Sequence, residues 1–168
     1  ADVAVVGAGA AGLTAALFAA AELGPAGRVV LLEREKEGGK KILMSGGSRC
    51  NVLPSSCSPG QDFYTGSSPQ HLRNVLKSWS VERCREWLAG DPSGTGLGLR
   101  LELELESEKW FPASDSAREV RDALLAACER HGVEVLYRAS VEGLELQPDE
   151  RGGAGAWVCR GADAAGGA

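Results

Sequence analysis

The stretch Val3-Ala4-Val5-Val6-Gly7-Ala8-Gly9-Ala10-Ala11-Gly12 leaves the chain few ways to fold. Its first four residues are apolar and mostly β-branched, as suits a parallel strand buried on both faces. Leu13 to Leu23 is Ala-rich and built of strong helix formers, and Gly24-Pro25 stops it. Val29-Val30-Leu31-Leu32 repeats the buried-strand pattern. Residues 2 to 33 therefore predict one right-handed βαβ unit of the usual ~30 residues. Within it the glycines divide the task of holding a pyrophosphate. Gly7 permits a tight turn, Gly9 lets backbone amides approach the phosphates, and Gly12 lets the helix lie close on the sheet. Ala10 and Ala11 keep the approach open. Glu33 follows about 20 residues further on, where a carboxylate accepts hydrogen bonds from an adenosine ribose and repels a 2′-phosphate. The bland alternative is a packing turn with a surface Glu33. The unit alone does not choose between NAD and FAD.

The rest of the chain is read from period and punctuation. Gly38 to Gly66 is rich in Gly, Ser and Pro and predicts a loop, ordered near its start. Pro69 to Leu88 carries apolar residues at helical spacing, as two helices broken near Ser78 to Ser80. Leu99, Leu101, Leu103 and Leu105 alternate with Arg100, Glu102, Glu104 and Glu106, which predicts a strand with one dry face and an acidic, solvated one. Ser116 with Glu119 predicts a capping box and a helix over 116–131, stopped by Gly132. Val133 to Tyr137 is the next strand. Val141 to Leu146 and Trp157 to Arg160, separated by the Gly-rich turn Arg151 to Gly155, predict the start of an antiparallel meander.

Composition narrows the function. Lys and Arg number 18 against 23 Asp and Glu, a formal charge of -5, with no basic stripe to follow a phosphate backbone, so no nucleic-acid partner is expected. Val3 to Ala21 carries no charge, but its glycines interrupt it in a strand-to-helix pattern and Asp2 precedes it, so neither a signal peptide nor a transmembrane segment is expected. The five cysteines lack the paired spacings of zinc sites or secreted disulfide scaffolds, which predicts a reducing, intracellular setting and no metal. His71 and His131 have no metal-spaced neighbours.

After the second strand, Glu33-Arg34-Glu35-Lys36-Glu37-Gly38-Gly39-Lys40-Lys41 continues in the manner of FAD-binding oxidoreductases rather than simple dehydrogenases. Gly39-Lys40-Lys41-Ile42-Leu43-Met44-Ser45-Gly46-Gly47-Ser48-Arg49-Cys50-Asn51-Val52 resembles a motif of the BaiN/YhiN-like flavoproteins, the aminoacetone oxidase family of FAD-binding enzymes. Phe111-Pro112-Ala113-Ser114-Asp115-Ser116-Ala117 resembles the Phe-Pro-x-Ser element of that family. The likeness runs from Val3 to about Leu146, with 53–68 and 90–106 poorly matched. Ser48 stands where a third glycine is expected, which matters if the position needs a positive φ. Glu108-Lys109 replaces a Gly-Arg pair.

The resemblance implies an α/β Rossmann-type FAD/NAD(P)-binding domain with a parallel sheet and the start of a β-meander, as the N-terminal part of a larger flavoprotein. It implies one incomplete domain over 1–160, an insertion-like segment at about 53–106 and a flexible Gly/Ala tail over 161–168. Gly7, Gly9, Ala10, Ala11, Gly12, Glu33, Arg34, Gly39, Lys40, Ser45, Gly46, Gly47, Arg49 and Asn51 are expected along the FAD, with Val141 near the adenine. The substrate is a small molecule, NAD(P)H is a candidate reductant, and this stretch alone is expected to be inactive. No catalytic residue or oligomeric state is assigned. From the residues alone, Gly46-Gly47 with Arg49 suits the flavin side, because amides and a guanidinium stabilise charge on a reduced isoalloxazine. A solvated loop with a surface Arg49 fits those residues equally. Two rival functions remain open: a non-catalytic nucleotide-binding module, and a dithiol oxidoreductase using Cys50 and Cys57, against which their spacing and Pro54 argue.

Overall fold

Strand β1 (Val3–Val6) runs parallel to β2 (Val29–Glu33), and β2 runs parallel to β6 (Glu134–Tyr137), giving a sheet of order β1-β2-β6 in the computed structural model. The structure describes residues 1–63, 66, 68–148 and 155–163. Helix α1 (Ala10–Leu23) joins the first two strands and buries Leu13, Ala16, Leu17 and Ala20, the i, i+3, i+4, i+7 face of a helix laid on a sheet. It ends at Gly24, whose φ of 66° is left-handed, before the short 3-10 turn Gly24–Ala26. Val29, Val30 and Leu31 of β2 are buried. β1 is not buried on both faces as its composition suggests. It pairs only with β2 among the described residues, and Val6 is 54% exposed.

The chain divides into two compact units, Ala1–Lys40 with Cys128–Ala168, and Lys41–Ala127. The second therefore begins well before residue 53. In the first unit, β7 (Ala139–Gln147) and β8 (Ala156–Asp163) form an antiparallel hairpin with an irregularity between Val141 and Gly143. The Gly-rich turn expected between them lies largely outside the described residues, as does the expected tail from 164 on, whereas Gly161 to Asp163, expected as the start of that tail, continue β8 by pairing with β7. Leu146 faces Trp157 across the hairpin, and Leu144, Leu146 and Trp157 are exposed.

Helix α2 (Lys40–Met44), whose first residue belongs to the first unit and the rest to the second, leads into a tight 3-10 turn over Ser45–Ser48. Helices α3 (Pro69–Ser78) and α4 (Val81–Ala89) break where expected. The Ser68 and Ser80 hydroxyls each accept an amide hydrogen bond of 3.2 Å, from His71 and Arg83, and cap the two helices. The alternating leucine stretch does not make one long strand. β4 covers only Leu101–Glu104, and the chain reverses over 105–108, where Glu108 is left-handed at φ 53° and Leu105 is 81% exposed. It returns as β5 (Lys109–Pro112), antiparallel to β4 and to the short β3 (Leu53–Pro54). Helix α5 (Ala117–Arg130) follows. The Glu119 carboxylate at its start accepts from the Ser114 hydroxyl, and the Cys128 thiol near its end donates to the Leu13 carbonyl at 3.3 Å.

Candidate functional site

The glycine turn joins β1 to α1, and each of its glycines meets a separate demand. Gly7 has φ 94°, a conformation that side chains rarely adopt. A Cβ on Gly12 would overlap the Gly7 carbonyl oxygen and lie 3.1 Å from its carbon, so the helix sits on the turn too closely for any side chain there. A Cβ on Gly9 would meet nothing within 4 Å. Open space thus lies over the start of α1, where first-turn amides have no intrahelical acceptor and no side chain caps them. Amides and a positive helix end facing open space suit a pyrophosphate.

Glu33 closes β2 beside this turn. Its carboxylate accepts from the Ala8 amide at 2.7 Å and from the Glu35 amide at 2.9 Å, so the acid is locked to the glycine turn. Gly39, left-handed at φ 79°, donates its amide to the Ala8 carbonyl at 2.7 Å. Ala8 therefore links the two stretches that the sequence singled out. Glu35 gathers the nearby cations, with Lys40 at 3.3 Å and Arg34 at 3.6 Å. Val141 lines an open pocket of about 180 Å³ with Leu32, Ser140, Cys159 and Arg160. Leu32 lies beside Glu33 at the end of β2, so this pocket is close to the acid that the sequence assigns to the ribose. The set Gly7, Gly9, Ala10, Ala11, Gly12, Glu33, Arg34, Gly39, Lys40 and Val141 falls within the first unit.

Ser45, Gly46, Gly47, Arg49 and Asn51 fall in the second unit and form a strained loop. Gly46 and Gly47 have φ of 54° and 65°, and Ser48 and Cys50 follow at 72° and 61°. The missing third glycine is thus a real departure. A left-handed conformation costs a residue with a side chain about 1–2 kcal/mol, and Ser48 and Cys50 both adopt it. A Cβ on Gly46 would come 2.9 Å from the Asn51 amide nitrogen and Oδ1, and 3.3 Å from Phe111. The Ser45 hydroxyl donates to Asn51 Oδ1 at 3.2 Å.

Arg49 is not the uncommitted cation that its position in the sequence suggests. Its Nε donates to Asp115 and its NH1 to Glu104, each at 2.8 Å, while the guanidinium lies 4.1 Å from the centre of the Phe111 ring. Hydrogen bonds to Asp115, then to Glu104, raise its pKa above the ordinary arginine value. Glu104 is likewise no member of a merely solvated acidic face. The Ser107 hydroxyl at 2.6 Å, then Arg49, hold its carboxyl below the usual range. Sequence reasoning missed both partners because nothing local in the sequence joins them to Arg49. All five cysteines are free. Burial pushes the Cys50 and Cys57 thiols up, with Asp62 adding to the rise at Cys57, whereas dithiol exchange needs an accessible thiolate. Among the described residues no helix is long and apolar enough to cross a membrane.

The 3-dehydro-bile acid delta(4,6)-reductase of Clostridium scindens is 32% identical over 146 residues, which cover 84% of this chain and 32% of that protein. The ribosomal RNA dihydrouridine synthase of Escherichia coli is 33% identical over 155 residues, covering 90% of this chain and 34% of that one. The chain thus spans about a third of the length of these curated relatives. The 3-ketosteroid-delta4-(5alpha)-dehydrogenase of Rhodococcus jostii, solved with 4-androstene-3,17-dione, superposes with a TM-score of 0.58 at 17% identity, over 95% of this chain and 41% of that one, and shares the Rossmann-type fold. The HI0933-like protein Rossmann domain matches residues 1–154, nearly the whole chain, and the BaiN/YhiN-like resemblance holds at that level. With its parallel βαβ core and three-glycine turn, this chain belongs to the HI0933-like Rossmann domain family.

Proposed function

We propose that this chain supplies the FAD-holding part of an oxidoreductase that adds hydrogen across a carbon–carbon double bond conjugated with a carbonyl. The cofactor assignment rests on one observation: open space over Gly9, in a glycine turn to which the Glu33 carboxylate is hydrogen-bonded. These residues fit a dinucleotide. The pyrophosphate would lie over the first turn of α1, the ribose hydroxyls at Glu33 and the adenine by Val141. FAD, once bound, supplies hydride chemistry, and the protein supplies binding, orientation and charge. The Ser45–Asn51 loop is assigned to the flavin end by the sequence resemblance, and NAD(P)H is the proposed reductant. The free cysteines support a reducing compartment.

The relatives indicate the direction of reaction. A reductase of the 4,6 double bonds of a 3-oxo bile acid and a synthase of dihydrouridine both saturate a carbon–carbon bond conjugated with a carbonyl. A steroid-like enone and uridine in RNA are therefore the two substrates to try first. This chain carries no basic stripe, so an RNA substrate would be gripped by other parts of the full-length protein. The test uses the full-length protein, with its flavin reduced by light under anaerobic conditions. Reoxidation by 4-androstene-3,17-dione or by a uridine-containing RNA supports the proposal. Oxidised flavin that is reduced by aminoacetone, and reduced flavin indifferent to both conjugated carbonyls, would overturn it in favour of amine oxidation.

A further inference from the structure

The loop around Arg49 spends backbone strain on one guanidinium. Ser48 and Cys50, on either side of it, are left-handed, and so is its partner Asp115, at φ 51°. Strain of this kind persists where the surrounding structure enforces it, and it gathers at sites of function. The result is a cation fixed in three ways: Asp115 and Glu104 hold two of its N–H groups, and the Phe111 ring backs one face. A guanidinium has five N–H donors, so others remain, and Arg49 meets no further acceptor among the described residues. Its side chain is 39% exposed, so those donors are within a ligand's reach.

The charge around those donors decides what they accept. One guanidinium sits between two carboxylates, leaving the cluster negative. Lys109, opposite Glu104 across the hairpin, is exposed and adds a weaker attraction. A carboxylate or phosphate approaching Arg49 meets two like charges, whereas a neutral carbonyl oxygen meets fixed donors and little repulsion. We propose that Arg49, held by Asp115 and Glu104, is a specificity-determining residue that hydrogen-bonds a neutral carbonyl oxygen of the substrate and disfavours an anionic group at that position. This inference rests on the reading of the loop as part of the redox site.

The test adds two probes of matched size to the full-length, FAD-loaded, oxidised protein: 2-cyclohexen-1-one labelled with carbon-13 at its carbonyl, and 1-cyclohexene-1-carboxylate. The enone carbonyl resonance should move downfield on binding, and the carboxylate should bind at least tenfold more weakly. Glu104→Gln with Asp115→Asn keeps amide oxygens as acceptors for Arg49, and Asn tolerates the left-handed backbone at 115. That pair should raise carboxylate affinity about tenfold relative to the enone, and each single substitution should move the ratio part of the way. Equal binding of both probes to the native protein, no downfield shift, or an unchanged ratio in the neutralised variants would overturn the inference. A protein without FAD would instead sink the parent reading.

Discussion

Two alanine substitutions in the glycine turn separate folding from cofactor binding. At Gly12 the new Cβ runs into the Gly7 carbonyl, a backbone atom that cannot swing aside. Overpacking costs about 1–3 kcal/mol, with the overlap on a backbone oxygen at the upper end, and the helix preference of Ala over Gly returns about 1, so Gly12→Ala should destabilise the protein by up to about 2 kcal/mol. At Gly9 the Cβ meets no protein atom, and the backbone there is extended, which any residue accepts. Gly9→Ala should therefore change stability by less than about 1 kcal/mol, the scale of losing a good N-cap residue. Its methyl group fills the space assigned to the pyrophosphate. Displacing one charge-assisted hydrogen bond costs about 1.5–3 kcal/mol, so FAD affinity should fall roughly 10- to 100-fold. Urea unfolding and calorimetric FAD titration of both full-length variants give the two numbers. Wild-type FAD affinity in Gly9→Ala would refute the reasoning, because the open space would then not hold the cofactor.

Other residues carry their own tests. Glu33→Gln removes a charged acceptor from the turn and the proposed ribose site, and FAD affinity should fall at least tenfold by the same titration. Ser48→Val puts a β-branched residue at φ 72° and should destabilise the fold by about 1 kcal/mol or more in urea, with Ser48→Gly at or above wild-type stability. Burial pushes the Cys128 thiol up from 9.0 to about 11. Between those values the unfolded chain loses the proton while the folded one keeps it, so stability is full below pH 9 and falls as pH climbs to 11. The loss should reach about 2–3 kcal/mol, and Cys128→Ala should remove that part of the slope in unfolding at about pH 8 and about pH 10.5.

The parts of the fold legible in the sequence are those written locally. The βαβ unit is set by a turn between two apolar runs, and the break between α3 and α4 by Ser80, which caps the second helix. The Ser48 departure was visible as a missing glycine, and the backbone there is left-handed. What escaped is non-local. β5 is only Lys-Trp-Phe-Pro, with no alternation and a terminal proline, and becomes a strand because β4 and β3 flank it. The acidic side chains of β4 look like solvated surface until Arg49, 55 residues away, is brought against Glu104. The candidate site divides the same way: the turn, Glu33 and Gly39 were readable, but the clasp on Arg49 was not.

The most direct measurement is the visible absorption spectrum of the full-length protein as purified, followed by chromatography of the flavin released on denaturation. FAD at one equivalent per chain is the predicted result. A colourless protein that cannot be reconstituted with FAD would contradict the cofactor assignment, and with it the reading of the glycine turn and Glu33.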